Sequence, residues 1–274
     1  MYAGSTLVML KYFDAWFGAH QKIDRTAHRH LRAILSDTAI YFPSALQINR
    51  FEGRNGPDGI KRKTPARDEP WHFYNPADPH DDKVIIIIEE HQQELVIALR
   101  EQNEVRAAFE AAWMAHAIVD GLTPAHHYPY EEELLKLRGQ GKETRTSVKE
   151  QLLIPGKTLP KMVHNNWKFW GDKGLLATHF AFEWGIAIMA TPLRLNRSRP
   201  SKHELDEILE QGVGPVFLRL AAEINSFDMY SEFYKSGWTP RLAKIARQEL
   251  LPRIVNAVTI AWYAASIEAA KPQK

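Results

Sequence analysis

The chain has 274 residues, a formal net charge of +2 and 45% hydrophobic residues, which is enough for one sizeable core. The near balance of acids and bases gives no signature of nucleic-acid binding, and the absence of cysteine excludes disulfides and thiolate metal sites. No apolar run approaches the roughly 18–20 residues of a membrane span, and no basic residue precedes Lys11 as a signal peptide would require. We therefore expect a soluble, uncleaved chain, cytoplasmic by default, with secretion also open.

Apolar periodicity predicts helices over most of the chain and almost no strands. The predicted helices are 20–35, 84–100, 104–119, 175–190, 204–224, 239–250 and 252–270. Residues 41–79 and 155–174 are expected to be irregular, and 131–151 to be a helix end followed by a flexible excursion. The predicted class is all-α: a single-domain helical bundle over residues 1–274, with long loops lining a cleft and with residues 137–174 as an insertion or lid.

A motif at the end of the helix 104–119 points to metal chemistry. His116 and Asp120 are four residues apart and share one helix face. Gly121 and Pro124 end the helix, so that His126 comes from the turn beyond it. The three side chains can converge on one cation; the alternative is a buried His–Asp pair that only forms a hydrogen bond.

A second pair, His179 and Glu183, repeats the four-residue spacing inside the apolar helix 175–190. An ionised Glu has little reason to lie among Phe180, Phe182 and Trp184 without a cation or another partner. Because the chain has no cysteine, zinc would have to be bound by His, Asp and Glu. Further candidates for such ligands are Asp58 on a tight turn, His72 among aromatic residues, and His20 at the start of the first helix, with His28 as its alternative.

The ordered set resembles the zinc-dependent phospholipase C family. The family's pattern of His, three residues, Asp, three residues, Pro, one residue, His is met by His116, Asp120, Pro124 and His126. Its pattern of His, three residues, Glu is met by His179 and Glu183, and its His-Phe-Tyr-Asn-Pro loop by residues 72–76. The family's Asp about fourteen residues before that loop falls on Asp58, and its early His falls on His20. The resemblance spans roughly residues 16 to 190.

The resemblance implies an α-helical bundle with two or three zinc ions in a cleft. It implies one zinc bound by Asp58, His72, His116 and Asp120, and a second bound by His126, His179 and Glu183. Asp120 would bridge to a third zinc, which is also bound by His20. In the family this third ion takes the amine and carbonyl of an N-terminal Trp, a role that Trp16 would fill if the chain were cut after Ala15.

The implied activity is phospholipase C-type hydrolysis of a phosphodiester in a phospholipid headgroup. Zinc lowers the pKa of a bound water to about 7 and neutralises charge on the phosphoryl oxygens. Asp58 would act either as a ligand or as the general base. The alternatives are a single-strand nuclease on the same scaffold and a non-catalytic protein that keeps zinc for stability or binds membrane or partner surfaces. Glu183 and the loop 72–76 favour the phospholipase.

The sequence departs from the family pattern at three positions and in one length. Ala117 and Val119 stand where the family often has an aromatic residue and Gly, and Tyr130 stands where it often has Asn. Between His126 and His179 lie 52 residues, more than in the short bacterial enzymes. This stretch, rich in Lys and Trp, would be a solvated surface excursion, a lid, or a loop in transient contact with a membrane.

Overall fold

The computed structural model describes residues 1, 18–60, 65 and 71–272. They form helices joined by turns, with no strand in that part of the chain, which confirms the all-α prediction. The α-helices are α1 Ala19–Ile34, α2 Ala45–Asn49, α3 Pro57–Ile60, α4 Lys83–Arg100, α5 Glu104–Gly121, α6 Tyr130–Arg138, α7 Val148–Leu152, α8 Leu159–Trp170, α9 Leu175–Ala190, α10 Lys202–Gln211, α11 Val213–Asn225, α12 Met229–Ser236, α13 Pro240–Ile245 and α14 Leu251–Ala270. Short 3₁₀ turns are Gly53–Asn55, Pro124–His127, Lys142–Thr144 and Asn196–Ser198.

The main core forms around α14, which packs against α1, α4 and α5. Its Trp262 is fully buried, and the indole Nε1 donates a hydrogen bond to the carbonyl of Ala111 at 3.0 Å. The helical run Pro240–Ala270 is long and apolar enough to cross a membrane by length and composition, and 78% of its apolar window is buried inside the protein. A core helix has the same composition.

Helix α5, which carries the first motif, is built for burial. The Asn103 side chain caps its start by accepting a hydrogen bond from the backbone of Arg106. Six alanines lie between residues 107 and 117, and the helix packs against α4. At its end, a Cβ on Gly121 would lie 2.7 Å from Phe217 of α11 and 2.9 Å from Val84 of α4. The residues His116 and Asp120 are thereby held on a rigid helix inside the bundle.

The region 131–174 forms a smaller hydrophobic cluster at one side of the bundle. Tyr130, Leu134, Ile154 and Phe169 form its buried centre. Residues 155–174 are not irregular as the sequence predicted: they contain α8, which the Thr158 side chain caps by accepting from the backbone of Lys161. Burial of Phe169 supplies a tertiary contact that stabilises this helix, which contains two Asn residues of low helix propensity.

Other predicted boundaries were wrong for local reasons. The predicted helix 204–224 is divided into α10 and α11 at Gly212, whose φ of +84° favours glycine. The predicted helices 239–250 and 252–270 join through a π-helical turn, Ala246–Leu250, because Pro252 falls in the first turn of α14, where no backbone donor is needed. Helix α12 was not predicted, and residues 41–79 contain two short helices, α2 and α3.

Candidate metal centre

The first cluster of metal-ligating side chains joins α1 to α5. His20 Nε2 lies 3.1 Å from Asp120 Oδ1, and His116 Nε2 lies 3.2 Å from Asp120 Oδ2. The two imidazole rings stack with their centroids 4.1 Å apart. All three residues are buried, and their ligand atoms lie within 4.8 Å of one another, so that they can hold a metal ion. The structure thus brings together His20, and not His28, with the i, i+4 pair of α5.

The second cluster joins the turn after α5 to α9. His126 Nε2 lies 2.8 Å from Glu183 Oε1, and His179 Nε2 lies 3.1 Å from the same oxygen. The imidazole rings of His126 and His179 stack at 5.0 Å. This group of two histidines and one glutamate also meets the spacing for a metal ion.

The hydrogen bonding of His126 explains why its contact with Glu183 points to a cation. His126 Nδ1 lies 2.8 Å from the carbonyl oxygen of His72, which can only accept, so Nδ1 must donate. Burial is the main reason that the pKa of His126 is lowered, and the neutral ring therefore turns an Nε2 lone pair toward Glu183. Burial raises the pKa of Glu183, but the Met1 amino group and His179 outweigh it and hold that pKa well below its usual range. A lone pair that faces an ionised carboxylate at 2.8 Å is stabilised by a positive charge beside both atoms, a position that the Met1 amino group or a metal ion can fill.

The two clusters are adjacent. His126 Nδ1 lies 3.7 Å from Asp120 Oδ2, so Asp120 touches side chains of both groups. Burial would raise the pKa of Asp120, but His126, the Met1 amino group and His116 together hold it well below its usual range. Asp120 is therefore an ionised carboxylate at the junction of the two clusters.

The amino group of Met1 occupies the same junction. It contacts Asp120 and lies 3.1 Å from Glu183 Oε1, while His20 Nε2 lies 2.8 Å from the Met1 carbonyl oxygen. Burial lowers the pKa of the amine, but Asp120 and Glu183 outweigh it and raise that pKa to about 10. Met1 thus places an amine and a carbonyl next to His20 and Asp120. In the family that the sequence resembles, an N-terminal residue supplies the same two groups. Trp16, to which the sequence assigned this role, lies outside the described residues.

Asp58 and His72 border these clusters. Asp58 Oδ1 lies 4.0 Å from His116 Nε2, and its carboxylate also raises the pKa of the Met1 amine. His72 is buried beside the second cluster: its backbone carbonyl orients His126, and its ring lies 5.6 Å from the ring of His126. Asp58 therefore lies beside His116, and His72 lies beside His126. The metal ion to which each of them would bind stays a prediction.

Sequence reasoning missed two buried carboxylic acids behind the first cluster. His116 Nδ1 donates to Glu52, whose oxygens lie 3.1 and 3.3 Å away. Burial would lower the pKa of His116, but Glu52 and Asp120 raise it well above its usual value. Asp24, one turn after His20, is buried with no hydrogen-bond partner for its carboxyl oxygens among the described residues, and burial together with Glu52 raises its pKa well above the usual range. The one sequence signal that could have indicated a buried Asp24 was its position in the apolar stripe of α1.

Aromatic side chains line the approach to the second cluster. The ring of Phe73 stacks on Tyr130 at 5.4 Å and on His126 at 5.2 Å. A cleft of about 500 Å³ is lined by Thr178, next in sequence to His179, by Tyr230, and by Trp167 and lysines of α8. Burial, with the nearby Glu183 carboxylate, raises the pKa of Tyr230, so its phenol is protonated at neutral pH.

Comparison of the chain with models of protein families, with curated proteins and with solved structures finds no match. The interpretation of the site therefore depends on its own residues and geometry.

Proposed function

We propose that this chain is a zinc-dependent phosphodiester hydrolase of the phospholipase C type. The observation that carries the proposal is the pair of adjacent His/carboxylate clusters that meet at Asp120 inside the bundle. Buried ionised carboxylates and lone-pair nitrogens in direct contact are costly unless cations are bound between them. Two neighbouring cations are what the hydrolysis of a phosphodiester uses to hold both the attacking and the leaving oxygen.

The donor atoms fit zinc. The ligand set contains only imidazole nitrogens and carboxylate oxygens, which are zinc donors in a protein without cysteine. Zinc–ligand bonds of about 2.0–2.2 Å in a tetrahedron place neighbouring donors roughly 3.3–3.6 Å apart. Within the two clusters, the distances between neighbouring ligand atoms are 2.8–3.2 Å, which is only slightly shorter than that separation. In addition, His116 Nε2 is buried and faces the carboxylate of Asp120, another ligand of the same cluster, at 3.2 Å.

In this proposal His20, His116 and Asp120 hold one ion with the Met1 amine and carbonyl, and His126, His179 and Glu183 hold another. Asp58 and His72 complete the set at the border of the clusters. Bound zinc supplies hydroxide at neutral pH and neutralises the negative charge of the phosphoryl oxygens.

The protein's own groups would prepare the site for that chemistry. Glu52 and the His72 carbonyl orient the rings of His116 and His126 through their Nδ1 atoms, so that each Nε2 faces the centre. Asp58 is half-buried and therefore accessible to water, so its carboxylate is placed to accept a proton from the attacking water or to bind the ion.

The decisive experiment combines elemental analysis of the purified protein with a panel of phosphodiesters. The proposal expects at least two zinc ions per chain and turnover of phosphatidylcholine or of bis(4-nitrophenyl) phosphate, abolished by a chelator and restored by zinc. Asp58→Asn should lower turnover by at least about a hundredfold while the protein remains folded. Asp81→Asn, which changes a partly buried aspartate that accepts from the backbone of Asn75, serves as the matched control and should retain activity.

The panel also separates the alternatives. Denatured DNA cleaved in preference to phosphodiester lipids would assign the centre to a single-strand nuclease. Bound zinc with no turnover on any substrate, and a melting temperature lowered by chelation, would assign it to a non-catalytic protein stabilised by zinc. Purified protein without any bound metal would reject the proposal.

A further inference from the structure

Helix α8 turns apolar side chains toward solvent. Leu159, Val163 and Trp167 are spaced four residues apart and therefore lie on one side of the helix, with 69%, 60% and 66% of their surfaces exposed. The side that packs on the protein carries Asn165 and Phe169 instead. Helix packing normally buries the apolar stripe and leaves the polar face outside, so this arrangement requires a different explanation.

The exposed stripe extends into a continuous patch. We define the α8 patch as Leu153, Leu159, Met162, Val163, Trp167 and Trp170, all of which are exposed. The indole Nε1 of Trp170 donates to the carbonyl of Leu152 at 2.7 Å, which joins the end of α8 to the residues after α7. A contiguous apolar patch of this kind on a protein surface marks a binding site for a protein or a membrane.

The charge around the patch identifies the occupant. From residue 148 to residue 173 the chain has five lysines, all exposed, and two acidic residues. Lys161 and Lys168, seven residues apart on α8, line the same cleft as Trp167. Exposed Leu, Val and Trp side chains among lysines are the composition of a helix that lies at the interface of an anionic membrane, with tryptophan at the level of the headgroups. At an interface with a protein partner, the aromatic side chains would form a buried core, and we would expect the polar rim around it to carry charges of both signs.

We propose that the α8 patch is the surface by which this protein docks on an anionic lipid membrane. The α8 patch and the cleft share Trp167, and the lining of that cleft also includes Thr178, the neighbour of His179, so docking through α8 brings the cleft close to the lipid. The inference requires no catalysis and therefore stands or falls separately from the proposed function.

The test measures co-sedimentation of the intact, metal-loaded protein with vesicles. One set is made of phosphatidylserine and phosphatidylcholine in equal parts, and the other of phosphatidylcholine alone. The patch variant is Leu159→Ser/Val163→Ser. Its matched control is Leu46→Ser/Val105→Ser, which makes the same two substitutions at side chains with 71% and 69% exposure at the start of α2 and α5. Because all four side chains are exposed, both variants should fold.

The proposal expects binding to the anionic vesicles that weakens with added salt. The patch variant should lose at least about tenfold in partition coefficient, whereas the control should match the unmodified protein. Lys161→Gln and Lys168→Gln should each lose about fivefold. The soluble ester bis(4-nitrophenyl) phosphate should be turned over equally by the patch variant and the unmodified protein, so that failed turnover with intact vesicle binding would contradict only the proposed function. Equal binding to both kinds of vesicle, or a patch variant that binds like its control, would overturn the inference. So would a dimer in solution that the patch variant converts to a monomer, because the occupant would then be a second copy of the chain.

Discussion

The contact between Glu52 and His116 permits a quantitative test of the metal centre. Glu52 is 4% exposed and accepts the Nδ1 proton of His116 with both oxygens, at 3.1 and 3.3 Å. This bond fixes the tautomer and the orientation of the ring, so that Nε2 faces Asp120. Glu52→Gln keeps the shape and an acceptor oxygen but removes the negative charge.

The expected loss follows from the role of such outer partners. Removing the carboxylate behind a metal-bound histidine typically lowers metal affinity 10–100-fold, which is about 1.4–2.7 kcal/mol. Because Glu52 is buried and bonded through both oxygens, we expect the upper half of that range. The measurement is zinc affinity by competition with a chromogenic chelator, at neutral pH, with the melting temperature of each protein determined in parallel.

The chain contains its own control for this experiment. Glu110 is also fully buried and accepts from the Nδ1 of a histidine, His91, at 2.5 Å, but this pair lies outside both clusters. Glu110→Gln should therefore destabilise the protein by an amount similar to Glu52→Gln and leave zinc affinity unchanged. If the two variants bind zinc equally well, the assignment of His116 as a metal ligand oriented by Glu52 is wrong.

Further outcomes follow from the packing, the charges and the metal site. Chelation should lower the melting temperature by roughly 10 °C, as expected for about 4 kcal/mol of binding energy, and zinc should restore it in calorimetry; an unchanged transition would contradict metal binding. A permanent extension before Met1, which turns its buried amine into an amide, should reduce the zinc count by about one ion in elemental analysis, and an equal count would exclude the amine as a ligand. Gly121→Ala should lose about 1–3 kcal/mol in urea unfolding, because the clash with Phe217 and Val84 exceeds the roughly 1 kcal/mol gained in helix propensity; a stabilised variant would show that these side chains move aside. Burial lowers the pKa of His127 to about 4, so its contribution to stability is present above pH 6.5 and is lost as the pH falls toward 4, by up to about 3 kcal/mol. In chelator, His127→Gln should flatten that part of the pH profile, and an unchanged slope would place the titration elsewhere.

The sequence was sufficient for the parts of the centre that lie on a single helix. His116 with Asp120, and His179 with Glu183, are i, i+4 pairs in apolar helices, and both pairs have the predicted geometry. His126 was also placed correctly, because Gly121 and Pro124 limit the helix and leave few conformations for the turn that follows. Such local rules depend on the helical period alone.

The helical period could not predict contacts between segments that are distant in the sequence. Glu52 lies 64 residues before His116, in a stretch whose Gly- and Pro-rich composition gives no period from which to predict a side-chain direction. Helix α8 was missed for a related reason: it buries Asn165 and Phe169 and exposes Leu159 and Val163, so its apolar residues do not mark the packed face. Apolar periodicity indicates the packed face of a helix only where the apolar side chains face the core, and in α8 several of them face solvent.

The position of Asp120 shows why the metal centre depends on segments other than α5. A carboxylate that is 1% exposed would be protonated or expelled without compensating positive charge or hydrogen bonds. The structure supplies four nitrogen groups around it, from Met1, His20, His116 and His126, contributed by the chain start, by α1, by α5 and by the turn after α5. Of these groups, the His116 ring and the Met1 amine have raised pKa values and must give up a proton before they can bind a metal. Zinc binding should therefore release protons and strengthen as the pH rises from 5 to 8. Isothermal titration calorimetry in two buffers of different ionisation enthalpy would count the protons that are released. If zinc binds without releasing protons, it does not bind at Asp120, and the protonated nitrogens are the counter-charge of that carboxylate.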